Sequence, residues 1–112
     1  MARIAFFGAG YAGLVSGACL AELGHAVVLR DISEERIGAL QAGGVPFYEP
    51  GLEELIAANA ERLSFTVSME EAVKGAEFLF VCVGTPPTHS GDADLSAVWS
   101  VIDELPQTLD DA

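Results

Sequence analysis

Short apolar runs alternate along the chain with stretches whose apolar positions recur at helical spacing. Ile4 to Phe7 is an unbroken apolar run stopped by Gly8. With no polar alternation, it reads as a strand covered on both faces of a parallel sheet. Helical spacing follows at once. Leu14, Ala18 and Ala21, with Val15, Cys19 and Leu23 on the adjoining face, recur every three or four residues until Gly24 supplies a carboxyl-terminal stop. Ala26 to Leu29 reads as a second strand. Ser33-Glu34-Glu35 then opens a helix that carries Ile37 and Leu40 and closes at Gly43-Gly44, a polar start and a glycine stop.

The connector Val45-Pro46-Phe47-Tyr48-Glu49-Pro50-Gly51 holds two prolines and a glycine, which exclude regular structure from it. Leu52, Leu55, Ile56, Asn59 and Leu63 fall at i, i+3, i+4, i+7 and i+11, so an amphipathic helix reaching about Arg62 is expected. Phe65 to Val67 is a short third strand. Ser68-Met69-Glu70-Glu71 has the spacing of a capping box and starts a short helix ended by Gly75. Phe78 to Val83 is the most strongly β-like segment, and Gly84-Thr85-Pro86-Pro87 ends it. Asp94 is expected to cap a last helix with Leu95, Val98, Trp99, Ile102 and Leu105 on one face and Pro106 at its end. Gln107 to Ala112 have nothing to pack against and should fray. This order of elements implies parallel βαβ units with right-handed crossovers, hence an α/β fold.

Composition narrows the partners. The chain has 112 residues, one small domain spanning 1–112, and its 51% hydrophobic content suits a folded core. Five Lys and Arg against 17 Asp and Glu give a net charge of -12, which excludes a nucleic-acid or anionic-membrane surface. No apolar run approaches the roughly 18 residues of a membrane span, and the start at Met1-Ala2-Arg3-Ile4 lacks a signal-peptide pattern, so a soluble cytoplasmic protein is expected. Cys19 and Cys82 stand in apolar surroundings without CxxC spacing and read as buried thiols rather than a disulfide or metal site. An anionic ligand would have to be held by backbone dipoles, since a basic cleft is excluded.

Gly8-Ala9-Gly10-Tyr11-Ala12-Gly13 is such a device. Alone, GxGxxG is a weak signal in a chain with 12 glycines. Its place, where the first strand ends and the first helix begins, is the one a dinucleotide fold requires. Gly8 permits the tight turn, Gly10 lets the backbone approach a pyrophosphate, and Gly13 lets helix and sheet pack closely. Unpaired N–H groups and the positive end of the helix dipole then face the phosphates. Asp31 lies 18 positions after Gly13, near the roughly 20-residue offset of a carboxylate that grips a ribose diol. That spacing favours NAD over NADP, whose 2′-phosphate would meet the carboxylate, although Arg30 and Arg36 soften the rejection. Asp31 as a plain helix cap and the glycines as a plain turn are the alternatives. Thr85 either offers its hydroxyl to the cofactor at the strand ends or only belongs to a turn stiffened by Pro86 and Pro87. His25 reads as a packing residue, and His89 as a solvated loop residue.

Phe7 to Leu14, Gly24-His25, Asp31, Pro46 to Leu52 and Phe80 to Pro86 together resemble the amino-terminal domain of the UDP-glucose/GDP-mannose 6-dehydrogenase family over almost the whole chain. The Glu-Pro-Gly-Leu loop and the Val-Gly-Thr-Pro strand end are the specific parts. The resemblance implies a Rossmann-type NAD-binding domain with cofactor contacts from Tyr11, Ala12, Asp31, Arg36 and Thr85. Ala12 stands where valine is usual and Arg36 where lysine is usual. Members of this family oxidise the C6 hydroxyl of a sugar nucleotide to a carboxylate with NAD through a cysteine-bound intermediate. Neither Cys19 nor Cys82 matches that cysteine, so no catalytic residue is expected here, and the catalytic and sugar-nucleotide domains are expected to lie beyond Ala112. The expectation is a truncated, four-strand doubly wound parallel sheet of order 3-2-1-4 that binds NAD, does not turn over sugar nucleotide alone, and self-associates as a homo-oligomer through the open edge of its fourth strand. A stand-alone NAD-sensing module without catalysis is the alternative.

Overall fold

The computed structural model describes residues 1–45, 47, 49–84 and 89–108, without the side chains of residues 106–108. Four strands form one parallel sheet in the order β3-β2-β1-β4, the order expected of it. β1 (Arg3–Phe7) is central. It pairs with β2 (Ala26–Arg30) from Arg3 opposite Ala26 to Phe7 opposite Arg30, and with β4 (Phe78–Val81) from Ile4 opposite Phe78 to Phe7 opposite Val81. β3 (Leu63–Thr66) pairs with the outer side of β2.

Strand side chains alternate between two cores. Ile4 and Phe6 join Val27, Leu29 and Leu63 under α1 (Tyr11–Glu22), α2 (Glu34–Gln41) and α3 (Leu52–Ala58). Ala5 and Phe7 point the other way, to Met69, Ala72 and Val73 of α4 (Met69–Val73) and Val101 of α5 (Ser96–Thr108). The sheet is therefore doubly wound. Phe6, Phe7, Leu14 and Leu29 are fully buried, and truncating one of them to alanine costs about 2–5 kcal/mol.

Several local expectations are corrected. α3 stops at Ala58 rather than near Arg62, with Asn59 as its carboxyl cap. The buried Asn59 amide donates to Leu55 O (2.9 Å) and to Glu22 Oε2 (2.8 Å), and its carbonyl accepts from Arg62 (2.7 Å). That network turns the chain, and Leu63 is buried as the first residue of β3, so the third strand runs Leu63–Thr66 instead of Phe65–Val67. Position i+11 of a helix and the first inward position of a strand coincide here, so periodicity could not separate them. β4 is shorter than expected and leaves Cys82 just beyond it. α5 runs through Pro106 to Thr108, past the proline expected to end it, although a proline there forfeits a backbone bond and crowds the carbonyl four residues back. Of the stretch expected to fray, Gln107 and Thr108 therefore belong to α5, and Leu109 to Ala112 lie outside the described residues. Cys19 is exposed and Cys82 half-buried, not both buried. The sheet-facing stripe of α1 is Gly13, Leu14, Gly17, Ala18 and Ala21, so Cys19 and Leu23 fall outside it.

Candidate functional site

The site lies where β1 and β2 end. Gly8 N donates to Arg30 O (2.7 Å) and Cys82 N donates to Phe7 O (2.8 Å), so the ladder pins the turn after β1 on both sides. Gly8 has φ +113°, and a Cβ there would come within 2.5 Å of the carbonyl oxygen of Cys82. A Cβ on Gly13 would overlap the carbonyl oxygen of Gly8. The fold itself requires these two glycines. Gly10 differs: with φ -79° and nothing within 4 Å of its missing Cβ, it is dispensable to the fold, and its bareness leaves an open approach to the backbone.

α1 starts at Gly10 without a side-chain cap and without an acidic residue in its first turn. Leu14 N is the first helical amide to reach a helical carbonyl, that of Gly10 at 2.9 Å. The amides of Tyr11, Ala12 and Gly13 have no carbonyl to reach within the helix. They face an exposed rim, since Tyr11 and Ala12 are exposed and Gly10 half-buried. This is a positive, donor-rich end suited to an anion.

Asp31 follows β2 and is turned toward this rim. Its Oδ2 accepts from Ala9 N (2.9 Å) and from the Arg36 guanidinium (3.3 Å), and its Oδ1 accepts from Ser33 N (3.0 Å). Burial pushes the carboxyl up, but the two backbone donors and the Arg36 guanidinium outweigh it and hold Asp31 below the usual carboxylate value. Asp31 therefore stays ionised at neutral pH. A carboxylate has about four lone-pair sites; three are taken, and the longest contact is Arg36. Asp31 is not a helix cap: Ser33 caps α2, accepting from Arg36 N at 3.1 Å.

Of the eight residues singled out in the sequence, Gly8, Gly10, Tyr11, Ala12, Gly13, Asp31 and Arg36 converge on this end of the sheet. Thr85 lies outside the described residues. Ala9 was missed because its role belongs to its backbone N–H, which any residue carries. Also missed was a slot of about 120 Å³ between the strand ends and α5, lined by Phe7, Asp31, Ile32, Val83, Ser100 and Val101. Those residues come from four separate segments, and only folding joins them. A larger open hollow of about 660 Å³ beside Phe47 is lined by Glu49, Glu53 and Glu54, charges that repel phosphate. Glu49 accepts a hydrogen bond from the Tyr11 hydroxyl (3.1 Å), a contact between the α2–α3 connection and the start of α1 that no spacing rule reveals. His25 Nδ1 accepts from Ala2 N (3.0 Å), the packing role expected of it.

The chain is similar in sequence and fold to known proteins. Over 100 residues the chain is 45% identical to the UDP-glucose 6-dehydrogenase of Bacillus subtilis, covering 88% of this chain and 22% of that one. It is 40% identical over 105 residues to the GDP-mannose 6-dehydrogenase of Pseudomonas aeruginosa, covering 92% and 24% respectively. A solved ternary complex of GDP-mannose dehydrogenase from Pseudomonas aeruginosa superimposes with a TM-score of 0.92 at 38% identity, over 97% of this chain and 26% of that one. The chain thus spans about a quarter of the length of these relatives. With residues 2–112 matching the family's NAD binding domain, the chain belongs to the UDP-glucose/GDP-mannose dehydrogenase family.

Proposed function

We propose that the chain is the cofactor-binding part of an enzyme that oxidises the C6 hydroxyl of a sugar nucleotide to a carboxylate, and that alone it binds NAD without turning substrate over. The observation that carries this reading is the union of two features at one mouth. The uncapped first turn of α1 offers the amides of Tyr11, Ala12 and Gly13, and Asp31 is fixed beside it by the Ala9 N–H at 2.9 Å. The residues fit the cofactor. Gly10, where no Cβ intrudes, would take the pyrophosphate, the slot at Ile32 and Val83 would take the adenine, and Asp31, with one open position and a long Arg36 contact, would hold the ribose diol. Bound NAD supplies the hydride acceptor; the chain's own residues bind and orient it.

Selectivity follows from charge. A 2′-phosphate would be brought against an ionised Asp31, which Arg36 and the slot-lining Arg30 only partly offset, so NADP binds more weakly. The cysteines do not supply the chemistry: burial pushes the Cys82 thiol up, away from the thiolate a nucleophile needs, and Cys19 stands on the exposed side of α1. The catalytic groups and the sugar-nucleotide site belong to the remainder of the relatives' length. The chain works in the cytoplasm, and a second copy pairs along β4, whose Phe78, Phe80 and Val81 are 55%, 43% and 41% exposed at the sheet edge.

Calorimetric titration with NAD and NADP, and NADH absorbance in the presence of UDP-glucose or GDP-mannose, test this. The expected result is selective NAD binding with no turnover. Equal affinity for the two cofactors defeats the role given to Asp31, and no binding defeats the site. Light scattering that stays monomeric at high concentration removes the β4 pairing.

A further inference from the structure

The connection between α2 and α3 comes back to the strand ends and meets the glycine turn. Tyr11, the first residue of α1, donates its hydroxyl to Glu49 Oε2 at 3.1 Å. Its ring lies against Phe47, with centroids 5.3 Å apart and the planes inclined at 53°. Phe47 is in turn packed against the core under α1. Glu49 is anchored from its own side, since its carbonyl accepts from Leu52 N (3.1 Å) at the start of α3. Tyr11 is itself 55% exposed, so these two neighbours fix a side chain that burial alone does not hold. An acidic residue at the mouth of an anion site is unfavourable unless it does something there, and the Tyr11 hydroxyl gives it a partner. The contact also raises the Tyr11 phenol above its ordinary value of 10.0, through the hydrogen bond to Glu49 and then its charge.

We propose that Glu49 is a positioning residue: by accepting the Tyr11 hydroxyl, with Phe47 against the ring, it clasps the α2–α3 connection onto the first turn of α1 and holds the amides of Tyr11 and Ala12 in place for a dinucleotide diphosphate. The inference rests on the reading of this mouth as the NAD site. It assigns to the Glu-Pro-Gly-Leu loop a task that the glycine motif alone does not perform. Because the clasp is a hydrogen bond rather than an ion pair, an amide at position 49 serves nearly as well as a carboxylate.

The experiment is a double-mutant cycle on NAD affinity with Tyr11→Phe and Glu49→Ala, and Glu49→Gln as the rescue. Each of the first two changes weakens NAD binding about fivefold, the size of one hydrogen bond. Together they weaken it no further than either alone, because both remove the same contact. Glu49→Gln restores most of the loss. A second readout follows Tyr11 itself: with Tyr48→Phe removing the other of the two tyrosines, phenolate absorbance against pH moves back toward the ordinary value in Glu49→Ala. Additive losses, absent losses, or an unmoved tyrosine titration each overturn the clasp while leaving the NAD site intact. A wild-type chain that binds no NAD overturns both readings.

Discussion

Helices α1 and α4 both follow the carboxyl end of a strand in the same parallel sheet, yet their first turns are built from different chemistry. At α4, Ser68 Oγ accepts from Glu71 N (3.1 Å). The Thr66 hydroxyl donates to Glu71 Oε2 (2.8 Å) and accepts from Ser68 N (3.0 Å). The capping box legible in the sequence is therefore closed through Thr66 rather than directly. Glu70 and Glu71 add negative charge at the positive end of the dipole. That helix satisfies its own start. At α1 a glycine takes the cap position, no side chain bonds the first amides, and no acid lies in the first turn. The difference teaches that the proposed anion site is marked by what its helix start leaves undone, while Asp31, to which the proposal gives the ribose, reaches it from the end of the neighbouring strand.

The harshest way to break the comparison is to remove the turn that presents α1. Gly13→Ala drives a Cβ into the backbone oxygen of Gly8, which flexible side chains cannot relieve. A loss of about 3 kcal/mol in urea denaturation is expected, and a loss under 1 kcal/mol would mean that helix and turn are looser than drawn. A gentler change makes α1 resemble α4. Gly10→Ser meets open space at ordinary φ, so stability should stay within about 0.5 kcal/mol of the parent. NAD affinity should fall about tenfold, because the new hydroxyl takes a first-turn amide and stands in the phosphate's path. Unchanged affinity would place the diphosphate elsewhere.

The converse change, Ser68→Ala, strips the cap from α4 and should cost about 1 kcal/mol of stability while NAD affinity stays the same. A parallel loss of affinity would show that the two helix starts are not independent. The smallest effect is in acid. Asp31 is held below its ordinary value of 3.8, so its stabilising contribution is complete above that value and lost as pH falls through the depressed folded value. Asp31→Asn lacks this component, and its stability curve should be flatter than the wild-type curve over that acid window. Parallel curves would contradict the hydrogen bonds given to the Asp31 carboxylate.

The alternation of apolar runs and helical stripes determined the succession of strands and helices, because period and turn residues are local properties, whereas the pairing order of the strands belongs to the tertiary structure. GxGxxG followed by Asp31 at the right distance likewise marked the mouth, although the clash that reserves position 8 for glycine is with the distant Cys82 carbonyl and Gly10 answers no constraint of the fold. Long-range contacts decided the rest. Asn59 ends α3 because it bonds Glu22 and Arg62, and Leu63 becomes a strand residue because β2 lies beside it. The edge position of β4 leaves Phe78 and Phe80 partly uncovered, as the open edge expected of the run requires. Glu49 has a role only because Tyr11 comes within 3.1 Å of it, and the slot beside Asp31 exists only once α5 closes over the strand ends. Periodicity speaks for residues a few positions apart, whereas pairs such as Tyr11 and Glu49 are joined by the fold alone.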